Sequence, residues 1–212
     1  MTKILLRKQL AEIFRTYLYD AKKNKARSKG TVIAYFVLFA LLMVGLLGGM
    51  FTFLAFTLRS TIVSGYGWFY YLIFALAAVC IGAFGSVFNT FSGLYLSRDN
   101  DLLLSMPIPV HSIMASRLLT VFLMGLMYSG VVSIPAAIVY LVTAGFSVNG
   151  FLGAVLFVAL IAVFVLVLSC LLGYGVARLS LKLKNKSFMT VIFALLFIAI
   201  YYFAYFKAGS FI

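Results

Sequence analysis

Residues 151–177 have the sequence FLGAVLFVALIAVFVLVLSCLLGYGVA, which contains no charged side chain. A stretch of roughly 20 apolar residues is long enough to cross the ~30 Å hydrocarbon layer of a bilayer as an α-helix. A helix is suited to crossing lipid because its backbone N–H and C=O groups form hydrogen bonds with each other. Lipid tails offer these groups no hydrogen-bond partners. The stretch therefore predicts a membrane-spanning helix.

Four more apolar stretches of comparable length occur in the chain, at residues 31–58, 68–96, 118–143 and 188–206. The composition agrees with this pattern, since 65% of the residues are hydrophobic and 10% are charged, with a mean hydropathy of +1.17. A water-soluble domain has a more even balance of apolar and polar residues. We therefore expect an all-α fold, a polytopic transmembrane helical bundle that occupies residues 31–212.

Residues 1–30 differ from the rest because they hold nine lysines and arginines against only Glu12 and Asp20. Apolar residues recur there at helical spacing, namely Leu6, Leu10, Ile13, Phe14, Tyr17 and Leu18. Such a pattern predicts an amphipathic helix that lies in the membrane interface. A basic linker over residues 21–30 is expected to lead from this helix into the first span.

The distribution of positive charge predicts the topology. With five spans, all of the 17 lysines and arginines except Arg59 and Lys207 fall on one side of the membrane. Cytoplasmic loops carry such an excess, so the N-terminus is expected in the cytoplasm of a multi-pass protein of the cell (plasma) membrane. The same charges account for the net charge of +13, and we expect no nucleic acid partner.

Motifs of enzymes are missing from the sequence, which has no GxxxxGK[ST], HExxH, CxxC or GxSxG pattern. Four acidic residues and one histidine are too few for a catalytic acid/base pair or a metal cage. Cys80 and Cys170 lie within apolar runs, where cysteine behaves as a small hydrophobic residue. We therefore expect no catalytic residue, metal site or cofactor in this chain.

One face of the second predicted span is small and polar. Its residues follow helical spacing and are Ser86, Asn89, Thr90 and Gly93. Small residues let helix backbones approach closely, and polar residues bond across helices, so helix packing is the first interpretation. A translocation path is the second, with Asn89 as its best candidate, because an amide deep in a membrane is costly without a partner.

The loop after this span, residues 97–117, reads SRDNDLLLSMPIPVHSIMASR. Asn100 or Asp101 can cap a short helix that the following prolines stop, and Ser112 can cap a second helix that continues into the third span. The loop would then present a rigid apolar surface on the cytoplasmic side. This surface requires cover, which either the lipid interface or a groove on a partner protein can supply.

This loop and the basic N-terminal helix resemble those of the membrane subunits of type-2 ABC exporters of Gram-positive bacteria. The resemblance covers residues 1–130 and is carried by the acidic pair, the leucine run with its proline, and Ser116-Arg117. It implies that the loop is a coupling helix seated in an ATPase subunit. The residues implied in coupling are Asp99, Asp101, Leu102, Leu103, Leu104, Met106, Pro107, Ile108 and Arg117.

The resemblance also implies what the chain does and with which partners. It implies a permease subunit of an exporter, which couples ATP hydrolysis by a separate ATPase subunit to substrate translocation. The ATP is then bound by the partner, and a second permease copy or half completes the pathway within the lipid bilayer. The alternative function is a non-transporting membrane protein, such as an immunity or assembly factor that shields a partner.

Overall fold

The computed structural model describes residues 5–6, 8–9, 14, 19–20, 25–95 and 109–182. These residues form the predicted all-α bundle, and four helices in them are long and apolar enough to cross a membrane. The long helices are α1 (Lys29–Thr57), α3 (Gly67–Tyr95), α4 (Val110–Ala144) and α5 (Val148–Lys182), and a short helix, α2 (Arg59–Val63), lies between the first two. The fifth predicted span, residues 188–206, lies outside the described residues.

Helix α1 begins at Lys29, where Ser28 provides the cap. The Ser28 Oγ accepts a hydrogen bond from the Thr31 backbone N–H at 3.3 Å, which satisfies one of the free N–H groups of the first turn. The helix is π-helical from Leu41 to Gly48 and returns to α geometry from Gly49 to Thr57. Its first twelve residues include no buried side chain, so α1 joins the bundle only through its second half.

The connection between α1 and α3 consists of the short helix α2 and a glycine turn. Gly65 has φ +84°, a backbone conformation that residues with a Cβ rarely adopt. The Tyr66 N–H bonds to the Thr61 carbonyl at 2.9 Å and closes the turn onto α2. We call this side of the bundle the Gly65 end and the opposite side, where α1 and α4 begin, the Arg117 end.

The core lies between α3, α4 and α5. Tyr70 and Phe74 of α3 are fully buried and pack against Val132 and Val139 of α4 and Val165 of α5. The Tyr70 hydroxyl donates a hydrogen bond of 3.0 Å to the Ala136 carbonyl, beside the in-helix Pro135. Because lipid tails are as apolar as these side chains, close packing and interhelical hydrogen bonds hold the three helices together.

The start of α4 corrects the cap that the sequence predicts. The helix that runs into the third span begins at Val110, before Ser112, so residues 110–117 are helical. Pro109, at φ −63° and ψ 130°, occupies the cap position, and its carbonyl accepts from the Ser112 N–H at 2.9 Å. Ser112 is thus inside the first turn and is not the cap. Proline suits this place because its φ fits a helix start and its missing N–H needs no partner.

Both ends of α5 also extend beyond the predicted span. The helix starts at Val148, where the Ser147 Oγ accepts from the Gly150 N–H at 3.0 Å, and it continues to Lys182. The loop between the predicted spans 151–177 and 188–206 is therefore helical in its first part, up to Lys182. The turn before α5 is made by Gly145, which has φ +86°.

The described part of the N-terminal segment is not one continuous helix. Residues 5–6 and 8–9 are helical, whereas Tyr19–Asp20 (β1) pairs antiparallel with Lys25–Ala26 (β2). The predicted basic linker therefore folds back on the chain before α1 begins. The Arg27 guanidinium then lies 4.7 Å from the centre of the Tyr35 ring, a cation–π contact that joins the linker to α1.

Candidate functional site

The first turns of α4 carry a buried polar face at the Arg117 end. Arg117 is only 6% exposed, and Ser116 and Thr120 beside it are buried as well. The Ser116 Oγ donates to the Ile113 carbonyl at 2.8 Å, and the Thr120 Oγ1 lies 2.9 Å from the Ser116 carbonyl. These hydroxyls are satisfied by their own helix, so Ser116 and Thr120 can be buried without loss of hydrogen bonds.

The N-terminal segment packs on this same face. Leu5 and Ile113 form a small buried apolar cluster, and the Thr120 Oγ1 also lies 3.0 Å from the Gln9 Oε1. Ile113 and Thr120 are seven positions apart, about 10 Å along a helix. The N-terminal segment therefore contacts α4 at two points, one on each side of Arg117.

A third contact joins the N-terminal segment to α1. The rings of Phe14 and Phe36 have centroids 5.4 Å apart. The segment is thus attached to both helices that begin at this end of the bundle. We call the combination of Leu5, Gln9 and Phe14 with the first turns of α1 and α4 the N-terminal clamp.

Of the residues implied in coupling, the structure describes Arg117, and it places this residue within the N-terminal clamp. The remaining members of that set lie outside the described residues: Asp99, Asp101, Leu102, Leu103, Leu104, Met106, Pro107 and Ile108. His111 is an exposed residue in the first turn of α4. The periodicity of residues 1–18 indicated an amphipathic segment, but it did not indicate α4 as the helix that this segment contacts.

The polar face of α3 meets α5 in a closed seam. The Ser86 Oγ and the Ser169 Oγ are 2.5 Å apart, and both side chains are fully buried. Thr90, one turn further on, is also fully buried and donates to the Ser86 carbonyl at 2.9 Å. The Ser86 hydroxyl bonds the Gly82 carbonyl at 2.7 Å as well, so each polar group in the seam has a partner.

Glycines allow the helices to approach in this seam. A Cβ added at Gly82 would lie 2.9 Å from Val165 Cγ2 and 3.0 Å from the Ser129 Cβ. A Cβ at Gly125 would lie 3.1 Å from Val165 Cγ1. The side chain of Val165 therefore occupies the space that two missing side chains leave, and it joins α5 to both α3 and α4.

The four residues predicted as a polar face do not share one environment. Ser86 and Thr90 lie in the seam, Asn89 is half-buried, and Gly93 is exposed with no atom within 4 Å of its Cβ position. The geometry at Ser86 and Thr90 is that of helix packing. The sequence pattern indicated that Ser86 and Thr90 share one face of the helix. It did not indicate that Val165 of α5 packs in the same seam.

A cavity of about 590 Å³ opens at the Gly65 end, between α2, the start of α3 and the end of α4. Its lining residues are Ile62, Val63, Gly65, Gly67, Trp68, Tyr71, Tyr140, Thr143 and Ala144. The ring centroids of Tyr71 and Tyr140 are 4.6 Å apart and form one wall. Aromatic residues near the ends of membrane spans were the available signal for this site, but the sequence alone did not bring Tyr71 and Tyr140 together.

Within the part of the chain that the structure describes, no group of three or more His, Cys, Asp or Glu side chains is placed to hold a metal ion. Cys80 is exposed and Cys170 is half-buried, and both are free thiols. Comparison of the chain with protein-family models, with curated proteins and with solved structures gives no match.

Proposed function

We propose that this chain is the membrane-spanning permease subunit of an ATP-driven ABC exporter, with its N-terminus in the cytoplasm of the cell. A separate ATPase subunit binds and hydrolyses ATP, and the permease converts that cycle into substrate translocation. The observation that carries the proposal is the N-terminal clamp. It fastens the N-terminal segment to the helix that follows directly on the proposed coupling loop, beside the buried Arg117.

The clamp gives the proposed coupling loop a firm support. A force on residues 97–108 enters α4 through Pro109, and the contacts at Ile113 and Thr120 connect that entry to the N-terminal segment. A movement of α4 would then be shared with the N-terminal segment. In an exporter the loop and the segment would both lie against the ATPase, so this connection would combine two contact points into one lever.

Helix α4 can carry such a movement across the membrane. Its 35 residues extend for about 50 Å, from the N-terminal clamp to the cavity at the Gly65 end. It packs on both α3 and α5 along this length, so a tilt of α4 moves its neighbours. Pro135 lies in the outer part of the helix, and proline is the usual place for a membrane helix to bend.

The charge distribution supports the proposed orientation. The Arg117 end and the N-terminal segment on it are basic, with Lys8, Lys25 and Lys29 among the described residues, whereas Arg59 is the one charged side chain that the structure describes at the Gly65 end. The positive-inside bias places the basic side in the cytoplasm, where an ATPase subunit would meet it.

A partner is required by the proposal because the sequence contains no phosphate-binding loop of the GxxxxGK[ST] type. A second permease copy or half would complete the pathway. In the first half of α1, the exposed side chains of Ile33, Val37 and Leu38 would be available to lipid or to such a second copy.

Purification of the tagged full chain from its native membranes in a mild detergent tests the proposal. We expect an ABC ATPase subunit to be recovered with it. Leu103→Asp should reduce that recovery about tenfold or more, as loss of an interface hot spot does. Val148→Asp is the matched control, because it adds the same charge at an exposed position of the Gly65 end and should leave recovery unchanged.

Two outcomes would contradict the exporter proposal. One is purification of the intact chain without any ATPase. The other is equal ATPase recovery with Leu103→Asp and Val148→Asp. Normal biological function of Leu103→Asp would favour the alternative, a non-transporting immunity or assembly protein.

A further inference from the structure

The cavity at the Gly65 end has the size and the lining of a ligand site. Its volume of about 590 Å³ lies within the range of 300–1,000 Å³ that is usual for small-molecule pockets. One wall consists of the Tyr71 and Tyr140 rings, and Phe157 supports it, with its ring centroid 4.6 Å from that of Tyr71. The rest of the lining includes the Thr143 hydroxyl and the backbone of two glycines.

Gly67 permits this aromatic wall. A Cβ at position 67 would lie 3.3 Å from Tyr140 Cε2 and 3.6 Å from the Tyr140 hydroxyl oxygen. An alanine at position 67 would therefore require the Tyr140 ring to shift by a few tenths of an ångström. The Thr143 Oγ1 already donates to the Val139 carbonyl at 2.8 Å, so it is left as an acceptor towards the cavity.

In a membrane, the rim of the cavity would lie near the lipid headgroups. The spans α3 and α4 begin and end there, and Trp68 and Val63 at the rim are 66% and 76% exposed. Tryptophan and tyrosine concentrate at this level of a membrane because their rings are apolar and their N–H and O–H groups are polar. A ligand in the cavity would have one part among apolar chains and one part in water.

Arg59 gives this end a positive charge. It is exposed and opens α2, three residues before the lining residue Ile62, which is about 4.5 Å of rise along a helix. Among the residues that the structure describes, no other charged side chain lies between Lys29 and Arg117. A guanidinium binds phosphate oxygens with good geometry, whereas the residues described at the Gly65 end include no Asp or Glu that could hold an amine headgroup.

From these observations we propose that the cavity binds a phospholipid with an anionic headgroup. Its phosphate contacts Arg59, and its glycerol and ester region lies against Tyr71, Tyr140 and Thr143. The acyl chains leave past the exposed rim into the bilayer. The lipid site is separate from the proposed coupling to an ATPase. It depends on the geometry of the cavity and does not require the chain to be an exporter.

The single tryptophan of the chain, Trp68, lines the cavity and reports its occupancy. The full chain is reconstituted in phosphatidylcholine vesicles that contain a small fraction of brominated phosphatidylglycerol, whose bromine atoms quench tryptophan. We expect quenching that saturates at a low fraction of this lipid and exceeds that by brominated phosphatidylcholine. Arg59→Gln should weaken the apparent affinity about fivefold, while Arg59→Lys should retain most of it.

A pair of matched variants tests the cavity itself. Ala144→Phe places a ring in the cavity from an exposed position and should remove the preference for the anionic lipid. Val142→Phe adds the same ring two residues earlier, at a 69% exposed position outside the lining, and should behave as the wild type. Circular dichroism establishes that both variants keep the helical fold.

Three results would overturn the proposal. The first is equal quenching of the wild type by the two brominated lipids at every fraction. The second is an unchanged lipid preference in Ala144→Phe with its fold intact. The third is a change of Trp68 emission on addition of water-soluble glycerol 3-phosphate to the protein in neutral detergent, which would assign the site to a soluble phosphate compound.

Discussion

Replacement of Gly82 by alanine is expected to destabilise the bundle, because the added methyl group has no space between the helices. The new Cβ would lie 2.9 and 3.0 Å from the two methyl carbons of Val165 and 3.0 Å from the Ser129 Cβ. Carbon atoms that are not bonded prefer ~3.5–4.0 Å. Neither neighbour can turn away, since the Val165 side chain has one preferred rotamer in a helix and the Ser129 Cβ is fixed to its backbone.

The helices must therefore shift, and overpacking of this kind costs about 1–3 kcal/mol. Alanine also favours the helix over glycine by up to ~1 kcal/mol, which would hide part of this cost. Gly153→Ala provides the control, because it gains the same propensity at an exposed site in α5 with no atom within 4 Å of the Cβ. The difference in unfolding free energy between the two variants should be about 1–3 kcal/mol.

The assay is unfolding by SDS in mixed micelles, followed by Trp68 fluorescence and by circular dichroism. Val165→Ala removes both of the crowded methyl groups, so Gly82→Ala should cost less in that background by about 1 kcal/mol or more in a double-mutant cycle. The reasoning is refuted if Gly82→Ala unfolds at the same SDS fraction as Gly153→Ala. It is also refuted if the Val165→Ala background does not change the cost.

Three further perturbations follow from hydrogen bonds and backbone geometry. Tyr70→Phe removes the bond to the Ala136 carbonyl and should lower the unfolding free energy by about 0.6–1.5 kcal/mol in the same SDS assay; an unchanged midpoint would contradict this. Thr120→Val keeps the shape but loses the contact with Gln9, so trypsin should cut the N-terminal segment several-fold faster, and equal cleavage rates would count against the clamp. Gly145→Ala forces a side chain to adopt φ +86° and should cost about 1–3 kcal/mol, seen as a lower thermal midpoint in detergent.

The amphipathic pattern of residues 1–30 shows what local sequence patterns can predict and what they cannot. The pattern distinguished these residues from the apolar stretches, because periodicity is a local property of the chain. It did not predict the pairing of Tyr19 with Ala26, nor the contact of Leu5 with Ile113. These contacts depend on which other surfaces lie nearby, and that information is spread over more than a hundred residues.

The start of α4 shows a related limit at the proposed coupling loop. Charge and hydropathy placed the third span from Leu118, since the preceding residues include His111, Arg117 and several serines. The helix begins at Val110 because Pro109 sets the start and the polar side chains are satisfied within the helix or buried against the N-terminal segment. Local polarity marked the edge of the apolar stretch, not the end of the helix.

The sequence by itself determined the all-α bundle and its long apolar helices. It could do so because lipid offers no partners for backbone hydrogen bonds, so length and composition alone require helices. Only the tertiary structure decided which faces meet: the seam around Ser86 and Val165, the N-terminal clamp and the aromatic cavity. In a membrane the packed faces and the lipid-facing faces are both largely apolar, so hydrophobicity does not distinguish them. The fit of side chains between helices decides which faces meet.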